Sequence, residues 1–458
     1  MIKTLNAELL PKSLKYQTRL FELAEFKTFN FGSLKPGPMN KAERLISLDI
    51  FRGLTIAAMI LVNFPGSWES VYSPLEHAEW AGSTPTDFIF PFFLFIVGIS
   101  ITLSFEKQIQ NGKSRKQMIK KSIVRALKLF GVGLALRLLP TLDFSRFELP
   151  GVLQRISLVF LACAALYLFT GWRTQIVVGI SILIVYWLAL TLIPVPEFGA
   201  GVLEPGKNLT NWIDKVVFPS HLINERGYDS EGILSTLPAI VTGISGLLAG
   251  KMLLQQTDRK KLVQQFLITG IALLAAGYLV GLYFPVIKKI WTSSFVLVTA
   301  GWAFLVYAFL FFLIEIRKLK TGTFPWIVFG SNAIAIYVLA DFFETFFIQT
   351  GIRNNTVLWM QNTGLHIKTA SLLWAIFSLL VCWTAGLILY RKKIELVCPF
   401  WRISRQTRRS RWWRSTRGSR RSQLPWRAAV GGKISKSNSG TSSPTIINTF
   451  PVAHYSGI

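Results

Sequence analysis

Ten windows of mostly apolar residues, each close to twenty residues long, recur along this chain. A helix needs about that length to cross the hydrocarbon layer of a bilayer. The windows run from Ile46 to Pro65, Pro85 to Phe105, Lys121 to Leu139, Val152 to Thr170 and Thr174 to Pro194. They continue from Leu234 to Leu254, Val263 to Pro285, Thr292 to Ile314, Phe324 to Phe346 and Thr369 to Tyr390. Hydrophobic residues make up 51% of the chain and charged residues 16%, and the mean hydropathy is +0.43. A soluble domain of 458 residues does not show that balance. The predicted fold is all-α: a polytopic membrane helix bundle of about ten transmembrane helices.

Lys and Arg gather in cytoplasmic connections, so counting them in alternate loops tests the spans and orients the chain. The two terminal segments and the connections between spans two and three, four and five, six and seven, and eight and nine hold 35. The other five connections hold eight. Both termini are therefore expected to be cytoplasmic. The loop from Gly66 to Thr84, with Glu69, Glu76, Glu79 and His77 and no Lys or Arg, is expected to face outward. Three regions follow: a cytoplasmic extension over 1–43, a transmembrane domain over 44–397, and a basic tail over 398–458 read as disordered.

No removable leader is expected before Ile46, and Met39, just ahead of the first span, is an alternative start. The net charge of +27 invites a nucleic-acid reading. Inward-facing loops and a tail with twelve Lys or Arg and no acid account for it, so no nucleic-acid partner is expected. The tail suits anionic lipid headgroups, and its composition also fits an altered reading frame. Cys163, Cys382 and Cys398 show neither metal-ligand nor paired spacing, so no metal is expected.

Ionisable groups inside a spanning helix are costly and by default face the bundle interior. The first span carries Asp49 and Arg52, which share a face with Asn63 at 100° per residue. Arg52 lies about 17 Å below Asn63 at 1.5 Å per residue. Asp49 and Arg52 equally suit a mutual pair at i, i+3. Span two opens with Thr84, Pro85, Thr86 and Asp87, an N-cap pattern with an acid at the third helical position. Asp87 is either a cap residue or the partner of His77 ten residues upstream. Gly243, Gly246 and Gly250 let helices approach closely.

The segments Arg44 to Gly53, Val62-Asn63, His77 to Gly82 and Thr86 to Phe93 together resemble the heparan-α-glucosaminide N-acetyltransferase family, including its bacterial members. The resemblance continues through Pro150 to Ile156, Asp229 to Leu234, Trp291 to Ser294 and Gly330 to Tyr337, and covers roughly Arg44 to Lys393. Ser230 stands where the family pattern has proline. The resemblance implies acetyl transfer from acetyl-CoA as co-substrate to an amino sugar, with His77 as acetyl acceptor or base and Asn63 beside it; Asp87, by its position, is the candidate to orient His77.

On that reading the donor's anionic head stays at the cytoplasmic mouth by Asp49, Arg52, Arg125 and Lys128. Its acetyl carbon reaches Asn63, whose amide can donate to a developing oxyanion. Gln154, Arg155, Asp229, Glu231 and Asp341 are the candidates for binding the sugar, although Gln154, Arg155 and Asp341 equally suit ties between helices. Expected partners are membrane lipid, a glycan or amino-sugar acceptor and a second copy in a homodimer; the expected location is a bacterial inner membrane. Two other readings stay open, an O-acyltransferase of envelope glycans and a small-solute transporter.

The charge count makes a direct prediction. Cysteine labelling of intact cells should modify a cysteine placed in the His77 loop and spare one in the Ser104 to Lys121 connection. The opposite pattern would reverse the orientation.

Overall fold

A computed structural model describes residues 45–138, 149–218 and 229–394; the tail and the N-terminal extension lie outside it. Every regular element of the described residues is helical. Helices α1 (Ile46–Asn63) and α2 (Ile89–Gln110) are followed by α3 (Arg115–Leu138), α4 (Val152–Phe169) and α5 (Trp172–Leu192). Then come the short α6 (Leu209–Val217), α7 (Ile233–Gln255), α8 (Arg259–Gly281) and α9 (Ser293–Phe311). The last are α10 (Phe324–Ser331), α11 (Ala333–Gln349), α12 (Ile352–Asn362) and α13 (Ile367–Lys392).

Most of α1, α2, α7 and α9 is buried inside the bundle, whereas α5, α8 and α13 expose most of their length. Many exposed side chains along them, among them Val185, Ile268, Leu279 and Leu380, are apolar. An apolar exterior of this kind suits contact with lipid rather than water. This is a multi-pass integral membrane protein.

Without a hydrophobic drive between helices in lipid, close backbone approach at small residues holds spans together. A Cβ on Gly98 of α2 would lie 2.1 Å from the Gly243 carbonyl oxygen of α7, and one on Gly246 would lie 2.0 Å from the Phe95 carbonyl oxygen. The same holds between α1 and α10. A Cβ on Gly53 would lie 1.8 Å from the Trp326 carbonyl oxygen, and one on Gly330 2.0 Å from that of Asp49.

Two sequence expectations change. The window from Phe324 to Phe346 is not one straight span but α10 and α11, bent by 85° at Asn332. Asn332 leaves helical geometry at φ −131 and ψ 40. The chain can break there because a buried cation takes over a helix-end carbonyl: Arg52 donates to the Gly330 oxygen at 3.0 Å. The expected window from Lys121 to Leu139, whose last residue lies outside the described residues, falls otherwise within α3, a longer helix that is too charged to qualify as a span by composition. Eight described helices are long and apolar enough to cross a membrane, nine with the bent pair as one span. The tenth expected span is α3.

The connections meet at two ends of the bundle. At one, the Gly82 amide donates to the Val286 oxygen at 2.8 Å and the Gly66 amide to the Ser371 oxygen at 3.2 Å. At the other, Glu315 accepts from the Ser47 amide at 3.1 Å, while its carbonyl accepts from Arg259 at 2.8 Å.

Gly246→Ala should lower the unfolding temperature in detergent by several degrees, since overpacking costs about 1–3 kcal/mol. Gly131→Ala, where an added Cβ meets nothing within 4 Å, should leave it unchanged. Equal melting of the two variants would contradict the close α2–α7 crossing.

Candidate active site

The connection between α1 and α2 is short of apolar residues and folds around one carboxylate. Pro85 fixes the first turn of a 3-10 helix over Pro85–Phe88, which brings Asp87 back toward Thr84. Asp87 Oδ2 accepts from the Thr84 amide at 2.9 Å and the Ala78 amide at 3.1 Å. The Thr84 hydroxyl has one proton and gives it to the Glu76 oxygen, its shorter contact at 2.7 Å. Asp87 Oδ1 lies 2.7 Å from His77 Nδ1. The two readings of Asp87 are therefore both met, because one carboxylate oxygen caps and the other meets the imidazole. Its side chain is 1% exposed and that of His77 33%.

An ionised carboxylate at 2.7 Å accepts the Nδ1 proton, so a neutral ring in this contact carries its lone pair on Nε2. A third group joins them. Lys288 Nζ is 2.9 Å from His77 Nδ1 and 3.3 Å from Asp87 Oδ1. Burial pushes Lys288 below the ordinary lysine range, against the opposing pull of Asp87 and Glu231. The loop is further tied down where Trp80 Nε1 donates to the Leu203 oxygen at 2.8 Å.

Beside this cluster, Asp229 Oδ1 accepts from the Glu231 amide at 2.7 Å. Burial and the neighbouring Asp229 push the Glu231 carboxyl up to about 7, while Arg155 and Lys288 pull it down. Burial likewise raises Asp214 of α6 to about 6, although its Oδ1 accepts from the Ile233 amide at 2.9 Å. Arg155, 1% exposed, donates to the Gly232 oxygen at 3.3 Å and to the Ser235 hydroxyl, and lies 4.9 Å over the Trp291 ring. It is a tie beneath the acidic loop. Gln154, one residue earlier and turned about 100° around the helix, instead lines a polar cavity of about 310 Å³ with Asp341, Arg137 and Tyr337. The charged neighbours of Tyr337 include both Asp341 and Glu231.

The donor-side candidates divide. Arg52, 2% exposed, bonds Asp49 at 3.2 Å, so the pair expected at i, i+3 is present. Arg52 and Arg125 line one narrow cavity among α1, α2, α3, α4 and α11, walled by Phe93, Ile101 and Phe160. Arg125 lies 5.0 Å over the Phe160 ring. Lys128 is exposed and does not line that cavity. Asn63 ends α1 half-buried, and no hydrogen bond joins it to His77 among the described residues.

Lys288 and Asp214 were not among the sequence candidates. Lys288 carried a faint signal, as one of only eight Lys or Arg in the connections expected to face outward.

Fold and site together define a polytopic helical membrane protein with an imidazole, a carboxylate and an ammonium clustered at one end of its bundle. Residues 44–263 match the family model for the catalytic region of heparan-alpha-glucosaminide N-acetyltransferase. Human heparan-alpha-glucosaminide N-acetyltransferase is 30% identical over 419 residues, which cover 79% of this chain and 60% of the human protein. The mouse protein of the same name is 28% identical over 365 residues, 67% of this chain and 55% of its own. Over most of its length the chain is similar to the heparan-α-glucosaminide N-acetyltransferases. It spans less than two thirds of the length of these relatives.

The raised Glu231 carboxyl makes a stability prediction. A carboxyl held protonated in the folded state contributes stability below its unfolded value near 4.5 that is lost as pH rises through about 7. The unfolding temperature in detergent should therefore fall between about pH 5 and 8, and Glu231→Gln should remove part of that fall. Parallel curves for the variant and the parent would contradict the assignment.

Proposed function

We propose that this protein is a membrane acetyltransferase that moves the acetyl group of acetyl-CoA onto the amino group of a glucosamine-type sugar. Similarity to these acetyltransferases supports the reaction class, and the observation that carries it to particular atoms is the 2.7 Å contact between His77 Nδ1 and Asp87. That contact holds the ring with Nε2 free to accept a proton. The amine attacks the thioester carbon, His77 Nε2 takes the proton the amine loses, the carbon–sulfur bond breaks, and the CoA thiolate leaves and is reprotonated. Asp87 offsets the imidazolium charge while it lasts.

The loop charges support a sidedness in which acetyl-CoA enters from the cytoplasm and the sugar from the opposite side. The cavity beside Arg52 and Arg125 is the proposed donor route. Arg52 holds Asp49 and the Gly330 carbonyl, and Arg125 shares the cavity wall with it as the proposed contact for an anionic headgroup. Asn63 is the proposed oxyanion donor. The Gln154, Arg137, Tyr337 and Asp341 cavity is the proposed sugar subsite, with the acids Glu231 and Asp229 nearby to attract an ammonium. A bacterial inner membrane is the proposed location, on the resemblance alone. The break between α10 and α11 is the one feature that favours the transporter reading, since discontinuous helices mark transport sites.

Purified protein given labelled acetyl-CoA and glucosamine should form N-acetylglucosamine. His77→Ala should lower that rate by about 100-fold or more without changing the unfolding temperature. Near-normal transfer by the variant would remove His77 from the chemistry, and no transfer by the parent protein would favour the transporter. Arg125→Ala should raise the KM for acetyl-CoA, and Asn63→Ala should lower kcat by about 100-fold. Unchanged kinetics in both would refute the donor route.

A further inference from the structure

A histidine that gives its Nδ1 proton to a buried carboxylate is normally drawn toward the imidazolium form, because the adjacent negative charge stabilises it. A base in that form is already occupied. In this protein an ammonium group stands at the same corner: Lys288 Nζ is 2.9 Å from His77 Nδ1 and 3.3 Å from the Asp87 oxygen that faces the ring. Lys288 cannot donate to a nitrogen that already carries a proton, so it donates to Asp87 and leaves its charge beside the ring.

The lysine is held in place rather than free to swing away. Its connection is fixed by the Gly82 amide on the Val286 oxygen and by the Ile287 amide on the Thr292 hydroxyl at 3.0 Å. Thr292 also caps α9, accepting from the Phe295 amide. Next to it Trp291 is 1% exposed, takes φ 53, and packs against Phe90 and Arg155. A buried ring on a left-handed residue is costly to move, so the loop presents Lys288 at a set position. The family-model match ends at residue 263, ahead of this loop.

We infer that Lys288 is a positioning residue that keeps His77 neutral, with its proton on Nδ1 and its lone pair on Nε2. This inference rests on the acetyltransferase reading for its catalytic consequence but not for its electrostatics. With Asp87 negative and Lys288 positive the cluster carries no net charge until the ring is protonated. The proton taken from the amine is then held weakly by an imidazolium that faces an ammonium, and passes readily to the departing thiolate. The other titratable groups around the cluster are Glu231 and Lys289, which act on Lys288, and Glu76 and Glu79, which share the histidine's own loop in sequence.

The test uses the full chain in detergent, with ¹⁵N-labelled histidine and the His77 signals assigned from their loss in His77→Asn. In the parent protein the Nδ1 signal should be that of a protonated nitrogen and the Nε2 signal that of a bare one. In Lys288→Met the ring titration should move up by about 1–3 pH units, and the acid limb of the kcat/KM profile should move with it. The rate at neutral pH should fall about tenfold or more. Lys288→Arg, which keeps the charge, should restore both to near the parent values. Lys288→Gln serves in place of Lys288→Met if the latter melts early.

A ring titration that is the same in the parent and the neutral variants overturns the inference. So does a raised KM for acetyl-CoA with an unmoved acid limb, which would assign Lys288 to the donor instead. If the parent protein transfers no acetyl group, the proposed function fails, while the ring titration still decides the role of Lys288.

Discussion

One carboxylate, Asp87, organises the end of the bundle where the chemistry is proposed. It is nearly inaccessible to solvent, and its two oxygens collect two backbone amides, an imidazole and an ammonium. A buried charge persists only when paired and hydrogen-bonded, and Asp87 meets both conditions by drawing three separate segments together. Residues 76–84 wrap around it, α2 begins at it, and the 282–292 connection reaches it through Lys288. Removing the carboxylate would leave Lys288 and the Ala78 and Thr84 amides without their acceptor.

A second buried charge does comparable work in the interior. Arg52 bonds Asp49 one turn away in α1, ties α1 to the end of α10, and also approaches the Ser100 hydroxyl of α2 at 3.5 Å. Because Gly53 and Gly330 bring the α1 and α10 backbones into contact, the guanidinium reaches a helix-end carbonyl that would otherwise be unsatisfied in lipid. The broken helix and the buried arginine therefore explain each other. The same arrangement places Arg52 on the wall of a cavity shared with Arg125, so a structural tie and a proposed donor route meet at one side chain.

Much of this was legible in the sequence for a physical reason. A helix crossing lipid must be apolar over about twenty residues, so the spans announce themselves, and an ion inside one must have a use. That logic singled out Asp49 and Arg52; the family resemblance singled out His77, and the capping pattern singled out Asp87, whose contact with His77 was one of its two readings. It failed where contact is non-local. Lys288 lies 211 residues from His77, and nothing near it in the chain signals the meeting. The bend at Asn332 was hidden because Gly330, Ser331 and Asn332 interrupt an apolar run too briefly to break its hydropathy. Gln154 and Arg155 were read together with Asp341 as sugar-binding or helix-tying residues, yet adjacent helical residues point about 100° apart; one lines a cavity and the other ties down the acidic loop.

The account stands on His77 and Asp87 acting as a single unit, and a double-mutant cycle measures that directly. Acetyl transfer from acetyl-CoA to glucosamine is compared for the parent, His77→Ala, Asp87→Asn and the double variant, each first shown to be folded by its unfolding temperature. If the carboxylate acts only through the imidazole, Asp87→Asn is severely impaired and the double variant is no slower than His77→Ala alone. Losses that multiply in the double variant would show that the two side chains act independently and would contradict the account.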